Sequence, residues 1–229
     1  SKGSATTHRI TTTTSAPPAP KWPAVDVTHR DEVVRAQGLT LYDLWEASPI
    51  RANDLDPDEI IAALFPADCL LCCGKSMREF ATRPRSDWRG KLHEQALIVP
   101  SPMRAIEGRR KSDGQLSAHT LDNTGPRRHL VVEFDSGSFD EHTAILAHLS
   151  DFAPLVLAVH SAGKSLHGWF YVHEWEKERV RRFFRHAVEL GADPATWTRS
   201  QFVRMPEGTR DNGKRQGVFF FNPDLVTDL

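Results

Sequence analysis

Apolar positions along this 229-residue chain recur at two spacings, and each change of spacing marks an element. Within 140–149, Ile145, Leu146 and Leu149 fall at helical spacing. Within 174–190, Val180, Phe183, Phe184 and Val188 share one face while Arg179, Arg182, Arg185 and His186 lie largely off it, which predicts an amphipathic helix. Residues 129–135, 155–160, 166–172 and 218–221 are instead short apolar runs of strand length, and Phe202-Val203 predicts one more strand. Upstream the pattern breaks into smaller pieces. A helical turn is expected over 41–45, and a helix after Asp56 with Pro57 at its first position. The runs at 69–73 and 96–99 read as buried strands.

In chain order the second half reads strand, helix, strand, strand, helix, strand. This is the split βαβ arrangement of RRM-like and ferredoxin-like sheets, in which the first two strands run parallel. The expected class is α+β, with an N-terminal α/β module over 39–126 and an RRM-like module over 127–229. Residues 1–38 are set apart by Thr11-Thr12-Thr13-Thr14 and Pro17-Pro18-Ala19-Pro20, which predict a disordered tail and linker. No internal repeat is visible.

Composition adds bounds. With 39% hydrophobic and 26% charged residues the chain has enough apolar material for a substantial core. Its 29 basic and 30 acidic residues give a formal net charge of −1, which excludes a uniformly basic nucleic-acid coat protein. Locally the balance differs: residues 75–111 hold ten Lys/Arg against four Asp/Glu. No apolar stretch approaches the length of a membrane span and no secretory leader is visible, so a soluble, cytoplasmic protein with no membrane partner is expected. Cys69, Cys72 and Cys73 are too few and too close for a disulfide framework; buried thiols are expected rather than a zinc site, because no second Cys pair follows.

Candidate chemistry begins at Glu133 and Asp135. Two positions apart on a strand, they fall on one face. Like charges so close are unfavourable without a cation between them, and the flanking Leu130, Val131, Val132 and Phe134 predict burial rather than a solvated acidic edge. Mg²⁺ or Mn²⁺ is the matching oxygen-preferring counter-charge. Gly163-Lys164-Ser165 is not a phosphate-binding P-loop, because Ala158 stands where the first glycine belongs and a strand follows where a helix is needed. What remains is Ser165 and His167 on one strand face beside a turn carrying Lys164, a set able to bind a phosphate chain. Asp193, before Pro194, reads from its local context as a turn or helix cap. Arg204, Arg210, Lys214 and Arg215 make the next loop cationic, either as a solvated surface or as a clamp for triphosphate or template backbone.

Glu133-Phe134-Asp135, then Ser165-Leu166-His167, then Asp193 is an order that resembles the archaeo-eukaryotic primase superfamily, most closely the primase-polymerases of phages, plasmids and other mobile elements. The resemblance covers roughly residues 41–223, with its specific part in 128–223. It implies an RRM-like catalytic sheet joined to an N-terminal α/β module, and an enzyme that transfers nucleotides on a single-stranded DNA template. Glu133, Asp135 and Asp193 would hold two Mg²⁺ or Mn²⁺ ions. Ser165 and His167 would contact the phosphates of the incoming nucleoside triphosphate, with Arg204 and Lys214 as further partners and Lys164 as a weaker one. A helicase domain or protein is the implied co-worker. Glu133 stands where many relatives carry Asp. Two other readings differ in class. A nicking replication initiator needs a His-x-His pair, which the chain lacks, and a placed tyrosine, for which only Tyr42 and Tyr171 exist. A non-catalytic RRM-like binder would expose aromatic residues on its central strands, as Phe134 could do.

Overall fold

The computed structural model describes residues 21–51 and 55–229. The expected tail lies outside the described residues up to residue 20. Among the described residues there are five α-helices: α1 Val27–Gln37, α2 Leu41–Ala47, α3 Pro57–Leu64, α4 Phe139–Leu149 and α5 Lys177–Glu189. The strands are β1 Leu70–Ser76, β2 Glu79–Pro84, β3 Leu97–Ile98, β4 Gly108–Arg109, β5 Leu116–Ser117, β6 His129–Val132, β7 Leu155–His160, β8 Leu166–Tyr171, β9 Val203–Arg204 and β10 Val218–Phe221. The class is α+β with antiparallel sheets.

Local chemistry sets the helix boundaries. Asp56 accepts from the Asp58 amide and Pro57 opens α3, as the pattern predicts. Ser138 and Glu141 close a reciprocal capping box ahead of α4. The boundary placed at residue 39 is corrected by α1, which forms inside the segment read as tail and linker. Asp26 caps its start and Gly38, at φ 57°, ends it by donating to the Val34 carbonyl. Only Val33 of α1 is buried, so the helix leaves no apolar stripe in the sequence.

One sheet runs β2-β1-β3-β9 and the second runs β10-β7-β8-β6, each with antiparallel neighbours. In the second sheet β6 and β7 are parallel with β8 between them, which is the split βαβ unit. The motif's last strand departs from expectation. An RRM-like sheet holds its first strand between the third and fourth, whereas here β10 pairs with β7 and β6 stays at the edge.

Alternation sorts the second sheet into two faces. Leu130, Val132 and Phe170 pack with Leu146, Leu149, Phe183 and Phe184 of α4 and α5. Val131, Val159, Trp169 and Tyr171 turn the other way, toward Ile60, Leu64, Leu71 and Ile98 of α3 and the first sheet. Gly168 permits the helical side to close, since a Cβ there would lie 2.4 Å from Leu146. The core between the sheets is therefore shared by both modules, and the division at 126/127 does not separate two cores. The chain crosses it again downstream. β9, expected as one more strand of the catalytic half, pairs with β3 through Leu97↔Arg204 and Ile98↔Val203. Gln216 fastens the same segment by donating to the carbonyls of Ala96 and Met205.

Candidate functional site at the mouth between the two sheets

Expected as a strand through residue 135, β6 ends at Val132, opposite Gly168. The cause lies in Ser165, whose Oγ accepts the Phe134 amide at 3.0 Å and so ends the backbone ladder with a side chain. Ser165 is itself buried and held by the Ser161 hydroxyl, which accepts its amide. Its hydroxyl thus fixes the acidic segment, and it does not line the cleft described below. Glu133 emerges just past the strand. Its carbonyl accepts the Asp193 amide at 2.8 Å, which draws the third acid to the end of β6.

A cleft of about 420 Å³ opens here between the sheets, lined by Glu133, His167, Arg204, Arg210, Lys75 and Phe202 among others. Three expected residues meet in it: Glu133, His167 and Arg204. His167 Nε2 sits 3.4 Å from Glu133 Oε2, and His167 Nδ1 is buried with no hydrogen-bond partner among the described residues. Burial, with Arg204 next, pushes the imidazole down to about 3, so the ring is neutral at ordinary pH and the contact is not an ion pair. Glu133 moves the opposite way. Its carboxyl is pushed up to about 7, first by burial, then by Asp193 and Asp135, against a smaller pull from Arg204. Asp193 and Asp135 thus both bear on the Glu133 carboxyl. The three acids do not form a closed ligand set, for no group of three or more His, Cys, Asp or Glu residues stands at metal-holding spacing among the described residues.

The other expected residues are placed differently. Asp193 is half-buried and caps the short turn Pro194–Trp197, its Oδ1 accepting the Ala195 amide at 2.9 Å. Asp135 is exposed in the loop after β6. Lys164 is exposed in the turn between β7 and β8, and Lys214 is exposed in the turn after Arg210; neither lines the cleft. The left-handed position in the first turn is Ala162, at φ 55°, rather than Gly163. Gly163 serves a different purpose, since a Cβ there would stand 3.0 Å from Arg210 Nη1. Arg210 donates to the Ser161 carbonyl at 3.1 Å while its Nε is buried with no partner among the described residues. Arg210, expected only as one of the cations of its loop, enters the cleft, and Lys75 is a cleft cation that the sequence did not assign to the site. Of the remaining loop cations, Arg215 is paired with Glu207.

The discarded signals also find places. Phe134 is buried and stacked on His142 at 4.4 Å, so it offers no platform for a base. Tyr171 is buried with its hydroxyl donating to Asp228, and exposed Tyr42 lies on α2; neither is set as a nucleophile in the cleft. The three cysteines are free thiols, Cys72 and Cys73 fully buried, and burial pushes Cys72 up to about 11. No helix among the described residues is long and apolar enough to cross a membrane. A scan against protein-family models, a search of curated proteins and a search of solved structures each return no match.

Proposed function

We propose that the chain is a template-dependent nucleotidyltransferase, a DNA primase or primase-polymerase that joins nucleoside triphosphates on a single-stranded DNA template. The observation that carries the reading is the state of Glu133: a half-buried carboxyl, raised to about 7 by burial and two further acids at one strand end. An all-oxygen donor set with a deficit of positive charge suits a hard divalent cation. Glu133, Asp135 and Asp193 would hold Mg²⁺ or Mn²⁺, whose chemistry when bound is to make a hydroxyl nucleophilic and to neutralise charge on the phosphates.

The chain's own groups supply the rest. Arg204 and Arg210 bring two guanidinium groups into the cleft that holds Glu133, where they attract and orient a triphosphate. Arg210 brings a buried N–H with no partner among the described residues. His167, neutral and pressed against Glu133, presents a ring nitrogen to a phosphate or to the carboxyl without adding charge. The reading draws on the split βαβ unit and the acids at its end; it does not depend on where β10 pairs. An RRM-like primase core, replication of a mobile element and a partner helicase belong to the same proposal.

Single-stranded template, labelled nucleotides and Mg²⁺ or Mn²⁺, with and without primer, test it. Wild type incorporates nucleotide, and Asp135→Ala, which removes an exposed acid and no core volume, loses more than about a hundredfold. Undiminished extension by that variant with Mn²⁺ overturns the assignment. Retention of the oligonucleotide by wild type with no incorporation under any metal would favour the non-catalytic binder.

A further inference from the structure

At the opposite end of β6 lies a second cavity of about 450 Å³, whose walls include Arg127, Lys177, Arg199, Trp175, Trp197 and Glu174. Three cations face one acid, and Glu174 is exposed. Arg127 lies over the Trp197 ring, 4.9 Å from its centroid, and donates to the Trp197 carbonyl. Arg199 donates to the carbonyls of Gly125, at 3.0 Å, and Thr124, at 3.4 Å. These partners are neutral, and among the described residues no carboxylate makes a hydrogen bond or ion pair with either guanidinium. Burial and then Arg199 lower Arg127 to about 10, while burial and then Arg104 lower Arg199. Carbonyls satisfy the N–H groups and leave the charge unanswered, so the cavity is short of an anion. The aromatic content narrows its chemistry. Trp197 is covered by Arg127 and stacked on Phe184, and Trp175 by Arg179 at 3.5 Å, so the indoles hold guanidinium planes in place for phosphate oxygens rather than offering a free face to a base.

Position favours a strand over a free nucleotide. The segment 193–197 runs beside β6, bound at one end through Asp193 to the Glu133 carbonyl and at the other through Arg127 to the Trp197 carbonyl. From Glu133 to Arg127 the chain covers roughly 20 Å at the rise of a strand, a length that a few nucleotides span. We propose that the cavity of Arg127, Lys177 and Arg199 docks the single-stranded nucleic acid that passes the acidic cleft, gripping its phosphates a few nucleotides from it. The identity of that strand as template rests on the function proposed above; the docking itself does not.

Fluorescence anisotropy with a labelled oligothymidine, in EDTA and without nucleotide, measures docking apart from transfer. Wild type binds. Lys177→Glu, an exposed change, and Arg199→Ala each weaken binding about tenfold, and the slope of log K against log salt falls by about 0.7 for each phosphate contact removed. Arg35→Glu, a reversal on α1 outside the cavity, binds as wild type does. Wild-type affinity in both cavity variants, with unchanged circular dichroism, overturns the inference, as does failure of wild type to bind. If wild type incorporates nucleotide while both variants keep the template KM unchanged, the docking site falls and the proposed function stands. If binding is lost in the variants and wild type transfers nothing, the reverse holds.

Discussion

Arg128 at the start of β6 and Glu133 past its end are both drawn out of water and are treated in opposite ways. At the start, Arg128 is almost fully enclosed, yet its guanidinium makes two 2.7 Å bonds to Asp228 and a further bond to the Leu64 carbonyl. Tyr171 joins by donating to Asp228 at 2.6 Å, and Asp228 is held well below the usual carboxylate range. At the far end, Glu133 is half-buried beside two more acids and a neutral imidazole. A closed pair stabilises the fold and has nothing left to offer a ligand. An open charge does the reverse, because whatever relieves it must come from outside.

Breaking the closed end has the largest expected effect. Arg128→Ala strands Asp228 and opens space beneath α3, and urea unfolding at pH 7 should show a loss of about 3–5 kcal/mol. Near-native stability would mean that the two ends of β6 do not differ as described. The second effect, at the open end, has the opposite sign. Glu133 binds its proton more tightly folded than unfolded, so its contribution is complete below pH 4.5 and is lost as pH rises through 7. Glu133→Gln removes that loss, and denaturation at pH 8 should find it more stable than wild type by up to about 3 kcal/mol. A destabilised variant at that pH would show the carboxyl to be comfortable as an anion. Third comes His129, enclosed beside Phe65 and Trp169 and lowered to about 3 by burial and then Arg128. Its neutral form is favoured above 6.5, and that stability drains away as pH falls toward 3. His129→Phe should recover about 2 kcal/mol relative to wild type between pH 7 and pH 5, read from paired unfolding curves. Smallest is Asp135→Ala, exposed and without structural duty. Its thermal midpoint should match wild type while nucleotide incorporation disappears, and a large shift in that midpoint would make Asp135 a structural residue instead.

Legibility in the sequence follows how local the cause is. Asp56 with Pro57, and the apolar face of α5, act within one element, so pattern alone finds α3 and α5 to within a few residues. The four strands of the second sheet are visible as apolar runs for the same reason. α1 was hidden because its stability comes from caps and from the α4 surface it lies on rather than from a stripe of its own. The early end of β6 depends on a hydroxyl more than thirty positions away, and β10's place beside β7 depends on the whole sheet. Within the site, the acid pair and His167 are short-range signals. Ser165, expected beside the phosphates, turns toward Phe134 and not the cleft. Arg210 and Arg199 each sit among several arginines of similar spacing, and only folding separates those that meet an acid from those that do not.

The return of β9 to the first sheet bears on how the chain is made. Leu97 and Arg204 are neighbours in the sheet but more than a hundred residues apart along the polypeptide, so β3 keeps one edge open until that intervening length has been synthesised. Contacts of that separation form slowly, whereas the β7–β8 hairpin is complete within seventeen residues. Assembly from the second sheet outward would bring Arg204 to the cleft last, so the acids at the end of β6 are in place before the cation that faces them arrives.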